Sequence, residues 1–205
     1  MAEKIKLNKN SLRDQNQSLK LYLEFLPTLE LRKQQLQSEV AAARKELERA
    51  KMRQEALLDD ARQWRHRLFG ILPIARELLK VDTVSVHFAN VAGVKVPVFD
   101  RVIFSRAPYS LAATPWILDA ALSFFEKAIS AREHRRVLQE KHDLLERELT
   151  KTTQRINLYE KVLIPQTREN IRKIKVYLGD QQTAAVCRAK IAKNKIVSKA
   201  QGGQP

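Results

Sequence analysis

Among 205 residues the sequence has one cysteine, five glycines and four histidines. A lone Cys187 excludes an internal disulfide framework and suits a reducing compartment. With Arg188 beside it but no matched histidine or second cysteine, it reads as a structural residue. The few glycines form neither G-x-x-x-x-G-K-[ST] nor G-x-G-x-x-G, which excludes the usual phosphate-cradling loops. His66, His87, His134 and His142 are scattered, with no H-E-x-x-H pattern and no third ligand near His134 and His142. No catalytic, cofactor-binding or metal-binding set can be assembled, so the reading is of a protein that is not itself an enzyme. No apolar run approaches the roughly 18 residues of a membrane span. The start Met1-Ala2-Glu3-Lys4-Ile5-Lys6 lacks the apolar stretch of a signal peptide, which predicts a soluble, cytoplasmic chain.

What the sequence has is positive charge and helical periodicity. Thirty-eight Lys and Arg stand against 23 Asp and Glu, a net +15. Residues 1–20 hold a net +3 and residues 166–205 a net +7, so two thirds of the excess lies in the two ends. The cations are Lys4, Lys6, Lys9, Arg13, Arg168, Arg172, Lys173, Lys175, Arg188, Lys190, Lys193 and Lys195, with Lys20 and Lys199 beside them. Such a cluster suits nucleic acid, an acidic protein or a membrane surface. Val186, Ile191, Ile196 and Val197 lie among the tail cations, which favours a protein partner over a purely solubilising tail. Tyr177 is the only aromatic residue there, and no base-reading module accompanies it.

Apolar residues recur in alternating steps of three and four through Leu19, Tyr22, Leu26, Leu29, Lys33, Leu36, Val40, Ala43, Leu47, Ala50, Gln54, Leu57, Ala61, Trp64 and Leu68. A second series runs from Ile117 through Ala121, Phe124, Ala128, Ala131, Arg135, Leu138, His142, Leu145, Leu149, Thr152, Ile156 and Tyr159 to Leu163. A mean step of 3.5 residues is the mark of a coiled coil. Lys33, Gln54, Arg135, His142 and Thr152 are the polar members and read as register-setting residues. After Pro165 the seam slips by one residue, continuing from Ile164 to Ile171, Ile174 and Leu178, which predicts a kink at the proline rather than an end.

Between the two series, helix one is expected to stop near Gly70 and Pro73, and a short helical patch follows at residues 74–80. Val84, Val86 and Phe88 then alternate with polar residues, and after Ala92-Gly93 a second β-branched run carries Val96, Val98 and Phe99 on to Phe104. Two such runs around a glycine-containing turn predict a β-hairpin, with Pro97 at an edge. The expected fold is mainly α: a long antiparallel two-helix coiled coil formed by N- and C-terminal helices, with a small insert containing a short helix and a β-hairpin. Its divisions are an N-terminal coiled-coil helix over residues 1–68, the insert over 69–116, and a C-terminal helix with basic tail over 117–205. Helices of about 84 and 93 Å, against a compact radius of gyration of about 17 Å, predict a rod. An antiparallel hairpin of helices sets Leu36 against Leu149 and brings both chain ends to one tip.

Residues 152–165 carry a resemblance. Thr152-Thr153-Gln154-Arg155-Ile156-Asn157-Leu158-Tyr159-Glu160, then Val162-Leu163-Ile164-Pro165, is similar to the T-R-R-R-V-N-A-L-E and V-L-I-P of the D subunits of V-type and A-type rotary ATPases. Arg155, Asn157, Glu160, Ile164 and Pro165 match, and the basic stretch from Arg188 to Lys195 resembles that family's C-terminal region. Leu29-Glu30-Leu31-Arg32-Lys33 through Leu36 is a looser form of its N-terminal L-L-K-x-K-R-D-x-L. Thr153 and Gln154 stand in place of two arginines, and Pro27 interrupts the first helix, which suggests a divergent bacterial branch.

The resemblance implies a central-stalk rotor shaft. Its basic tip would insert into a hexamer of catalytic and regulatory ATPase subunits, where ATP is handled. Its insert would lie nearer the membrane, beside the small F subunit of the stalk and a funnel-shaped adaptor on the membrane ring. The protein would sit peripherally on the inner face of the plasma membrane, without inserting into it and without specific nucleic acid. The rival readings are a prefoldin-like coiled-coil chaperone subunit, then a nucleic-acid-binding coiled coil, then a membrane-tethering rod.

Overall fold

A computed structural model describes residues 6–110 and 114–201. Its elements run in the order α1 (Lys9–Leu78), β1 (Leu79–Val91), β2 (Val94–Arg106), α2 (Leu118–Leu158), a π-helical turn (Tyr159–Leu163) and α3 (Ile164–Gln201). The mainly helical fold with an inserted hairpin is the one the two apolar series predict. Asn8 starts α1 as its cap, its Oδ1 accepting a 2.7 Å hydrogen bond from the Ser11 amide. The chain divides into two compact units, residues 1–31 with 153–205 and residues 32–152.

The unit of residues 32–152 contains the hairpin. Ala92 and Gly93 both have positive φ, 50° and 79°, the signature of a tight type I′ turn whose twist matches that of paired strands. The strands run antiparallel with Val91 opposite Val94, Phe88 opposite Pro97 and Leu79 opposite Arg106, and the register shifts at two places, between Val81 and Thr83 and between Ser85 and Val86. At the turn end Val94 and Val96 pack with Leu36 and Ala43 of α1 and Leu145 of α2, and Val40, Ala89, Val91 and Leu149 close around them. Alanine in the α1 seam is what leaves room for a third element. Leu36 and Leu149 share this cluster, and Lys141 Nζ reaches Glu46 at 2.9 Å, so the helices pair antiparallel near the expected register.

The root of the hairpin has its own core. Ile71 and Ala75 pack with Leu118, Ala121 and Leu122, flanked by Leu68, Leu78, Tyr109 and Phe125. This cluster corrects the expected end of helix one near Gly70 and Pro73. Proline costs about 3 kcal/mol and glycine about 1 inside a helix, yet Ile71 and Ala75, four residues apart across Pro73, are both buried on α2. Tertiary burial overrides local propensity, and the short patch expected at 74–80 is the last turns of α1 followed by the first residues of β1. Arg106 then fastens the strand root to α2 by donating two bonds to Glu126, at 2.7 and 2.8 Å.

In the unit of residues 1–31 and 153–205 two helices meet without a third element. Tyr22 meets Tyr159 edge to face at 5.4 Å, and Asn170 Nδ2 reaches Gln15 at 3.4 Å. Ile156, Ile164, Thr167, Ile171 and Ile174 are buried. The slip in the seam coincides with the π-helical turn at Tyr159–Leu163, where the Ile164 amide bonds back five residues to the Tyr159 carbonyl. A π turn holds one extra residue, which is the size of the slip. The adjustment thus lies just before Pro165, and helix continues on both sides of the proline. Residues 179–201 are helical too, where a basic tail was expected beyond Leu178.

Candidate interaction surfaces

Each expected tip cation that the structure describes is exposed: Lys6, Lys9 and Arg13 near the start of α1, and Arg168, Arg172, Lys173, Lys175, Arg188, Lys190, Lys193 and Lys195 along α3. Lys4 lies outside the described residues. Leu7 shares a shallow groove with Arg172, Lys173, Val176, Tyr177 and Asp180, so the chain at the start of α1 meets α3 at residues 172–180 in this unit, and α3 runs on past it. Lys173 pairs with Glu169 at 2.8 Å, and this cation holds the Glu169 carboxyl below its ordinary pKa.

Beyond that groove α3 is alone. Every residue from Gln181 to Ser198 is exposed, including Val186 (67%), Ile191 (56%) and Ile196 (69%). No carboxylate occurs between Asp180 and Lys199. Alanine, glutamine and lysine favour the helix here, and cations near its C-terminus oppose the negative end of the dipole. The result is a cationic helix with bulky aliphatic side chains that none of the described residues covers. Cys187 is free and exposed on this stretch, which corrects the structural role expected for it.

The resemblance-bearing residues divide by side. Ile164 is buried, whereas Arg155, Asn157, Glu160 and Pro165 face outward. Of the expected hairpin residues, Val96 is fully buried, Val84, Val86, Val98 and Phe99 are half-buried, and Phe88 is exposed. Two seam positions are corrected: Arg135 is exposed, and Trp64 is about half exposed with the Arg67 guanidinium 5.5 Å above its ring. His142, at the seam, has its Nδ1 enclosed 3.5 Å from Asp143 and 3.9 Å from Glu146. These three residues belong to about one turn of α2, an arrangement common on helix surfaces without any ion.

Two apolar surfaces went unnoticed in the sequence. In the unit of residues 32–152, Leu58, Leu68, Phe69 and Leu72 of α1 line a groove with Phe124 and Phe125 of α2, and Phe69 and Trp116 are 75% and 85% exposed. In the other unit Leu21, Phe25 and Leu31 of α1 and Leu158, Val162 and Val176 are exposed. Their signal was present as apolar residues off the seam, such as Leu21, Leu23 and Phe25 around Tyr22. Among the described residues no helix is long and apolar enough to cross a membrane. The arrangement offers charged and apolar faces for other proteins.

Comparison with known proteins agrees with the pattern of residues 152–165. A protein-family model described as the D subunit of ATP synthase matches residues 11–194. The chain is 38% identical over 196 residues to the V-type ATP synthase D subunit of Borreliella burgdorferi, covering 96% of both chains. It is 35% identical over 202 residues to that of Chlamydia muridarum, covering 96% of this chain and 98% of the relative. To that of Chlamydia pneumoniae it is 34% identical over 209 residues, covering 100% and 99%.

Proposed function

Because the chain belongs to the family of ATP synthase D subunits, we propose that it is the central-stalk rotor subunit of a V/A-type ATPase, transmitting torque between an ATP-binding hexamer and a membrane ion-translocating ring. The observation that supports this most directly is the lone end of α3, a cationic helix with exposed Val186, Ile191 and Ile196 and no acidic residue. Such a segment suits a sleeve of acidic and apolar loops on partner subunits, into which Lys6, Lys9, Arg13, Arg168, Arg172 and Lys175 would also point. The groove of Leu58, Phe69, Phe124 and Phe125 suits an apolar face of a second partner, the funnel-shaped adaptor, with the small F subunit of the stalk beside the insert.

The mechanism needs no chemistry in this chain. A pair of helices has no threefold symmetry, so inside a ring of three catalytic sites it presents a different face to each. Differential contact biases the sites into different conformations, and rotation moves that bias from one to the next. ATP synthesis or hydrolysis takes place on the hexamer, proton or sodium movement in the membrane ring, and the protein sits peripherally on the cytoplasmic side of the plasma membrane. Residues 1–68 and 117–205 act as the shaft and 69–116 as the insert.

Affinity purification of the full chain from native membranes should recover the ATPase catalytic subunits in stoichiometric amount. Removal of residues 186–205 should then lower complex yield or ATP-driven pumping. Unchanged yield and pumping would take the tail out of the mechanism, and recovery of prefoldin partners alone would replace the reading.

A further inference from the structure

The hairpin is seated on the helices of residues 32–152 at three levels. Its turn end is packed among Leu36, Ala43 and Leu145. At its middle Phe99 stacks on His134 of α2, with ring centroids 5.0 Å apart and planes inclined by 29°. Its root is held by Arg106 on Glu126. Only the middle level contains a group that titrates near neutral pH. We propose that the Phe99–His134 contact is a proton-released latch: the hairpin stays seated on the helix pair while the imidazole is neutral, and loosens when His134 takes up a proton.

The surroundings of His134 set the sign. It lines a cleft between β2 and the two helices that also contains Glu46, Arg49 and Arg53 from α1 and Lys141 from α2. The β2 segment in the cleft, Pro97, Val98 and Phe99, brings no charge, and the next residue, Asp100, is bonded to His87 and Ser85 instead. Glu46 is the one carboxylate there, and Lys141 occupies it at 2.9 Å. An imidazolium would therefore enter a half-buried cleft with three cations and no free anion. Burial first, and Arg53 second, hold the His134 pKa below its ordinary value, with Glu46 offsetting them in part. Attraction between an imidazolium and the Phe99 face opposes this, but a single ring replaces neither the lost hydration nor the missing anion.

The seated hairpin thus binds fewer protons at this site than the released one. Seating has full strength above the ordinary histidine value of about 6.5 and weakens as pH falls from there toward the lowered value. One proton weakens it by at most about tenfold per pH unit. The His87–Asp100 pair, 2.7 Å apart, lies within the hairpin itself and does not join it to the helices. The latch is a property of the chain and does not depend on the rotor reading.

The test uses the full chain between pH 5 and 8, with imidazole resonances followed by NMR and amide exchange followed at Val94 and Val96. His134 should titrate below the ordinary histidine value of about 6.5, and opening at Val94 and Val96, corrected for intrinsic exchange, should rise by up to about tenfold per pH unit below that value. In His134→Phe, which keeps a ring against Phe99, that acid rise should vanish, while in His87→Gln it should persist. Titration of His134 at or above about 6.5, or an equal acid rise in His134→Phe, overturns the proposal. Should His134→Phe fail to fold, the wild-type titration and exchange decide it alone.

Discussion

The two compact units are built on the same helical seam and differ in what covers it. In residues 32–152 the hairpin lies over the helix pair, and Leu36, Val96 and Leu145 are wholly enclosed. In residues 1–31 and 153–205 the helices have only each other, and among the described residues no side chain of α1 before Leu36 is buried. A pair of helices hides one narrow stripe: Ile156, Ile164, Ile171 and Ile174 are buried along α2 and α3, while the seam residues of α1 in this unit stay open at their flanks. A third element closes those flanks and turns a stripe into a core. The uncovered pair is left with apolar residues such as Leu21, Phe25 and Val162 to offer a partner.

The comparison can be broken most directly by truncating the seam in each unit. Leu145→Ala should cost about 2–5 kcal/mol, while Leu26→Ala, at a half-buried position, should cost only about 1 kcal/mol. Equal shifts of the denaturant midpoint would erase the distinction. Amide exchange should sharpen it further, with α1 residues 36–50 protected close to global stability and residues 9–31 opening more readily. A single uniform protection along α1 would show that the hairpin adds nothing.

Smaller effects probe how the cover is held. Gly93→Ala forces a side chain onto a φ of 79° with the Arg32 guanidinium 3.5 Å from the new Cβ. That should cost about 1–2 kcal/mol, read as a loss of thermal stability that Ala92→Gly does not share. The smallest effect concerns the Arg106–Glu126 pair. Its hydrogen bond with Arg106 lowers the Glu126 pKa, so its contribution is present above the ordinary carboxylate value and lost as pH falls through the lowered one. For a pair this close to solvent it amounts to under about 1 kcal/mol. Glu126→Gln should flatten that part of an acid-unfolding curve.

Most of the seam was legible, because burial along a coiled coil follows a period that the sequence states outright. Lys33, Gln54 and His142 are half-buried as the period demands, and Thr152 is buried. Trp64 and Arg135 depart from it, because a fixed step says nothing about local rotation of a helix where other elements join. The hairpin turn was equally readable, since Ala92-Gly93 between β-branched runs leaves few alternatives. The end of α1 was not, because its continuation through Gly70 and Pro73 depends on Ile71 and Ala75 meeting Leu118 and Leu122, a contact between residues over forty positions apart. Nor was the seat of the hairpin, since nothing local to Val94 and Val96 names Leu36 or Leu145. The charged tip was visible as composition, and its setting became visible only once α3 was seen to run on alone.

The π-helical turn at Tyr159–Leu163 works as a phase shifter. With one residue removed from it, the series Thr152, Ile156, Tyr159, Ile164, Thr167, Ile171, Ile174, Leu178 becomes an unbroken alternation of four and three. The sequence on either side is therefore in step with itself, and the turn stores a single residue of excess without rotating the helix beyond it. A one-residue deletion within it, made together with Pro165→Ala, should leave every later side chain on its present face. The same deletion elsewhere in the two helices would turn each later residue by about 100°, carrying the exposed cations of α3 around to a new bearing. Angular aim at the tip is thus indifferent to the length of this one widened turn and depends on the residue count of the regular helix around it.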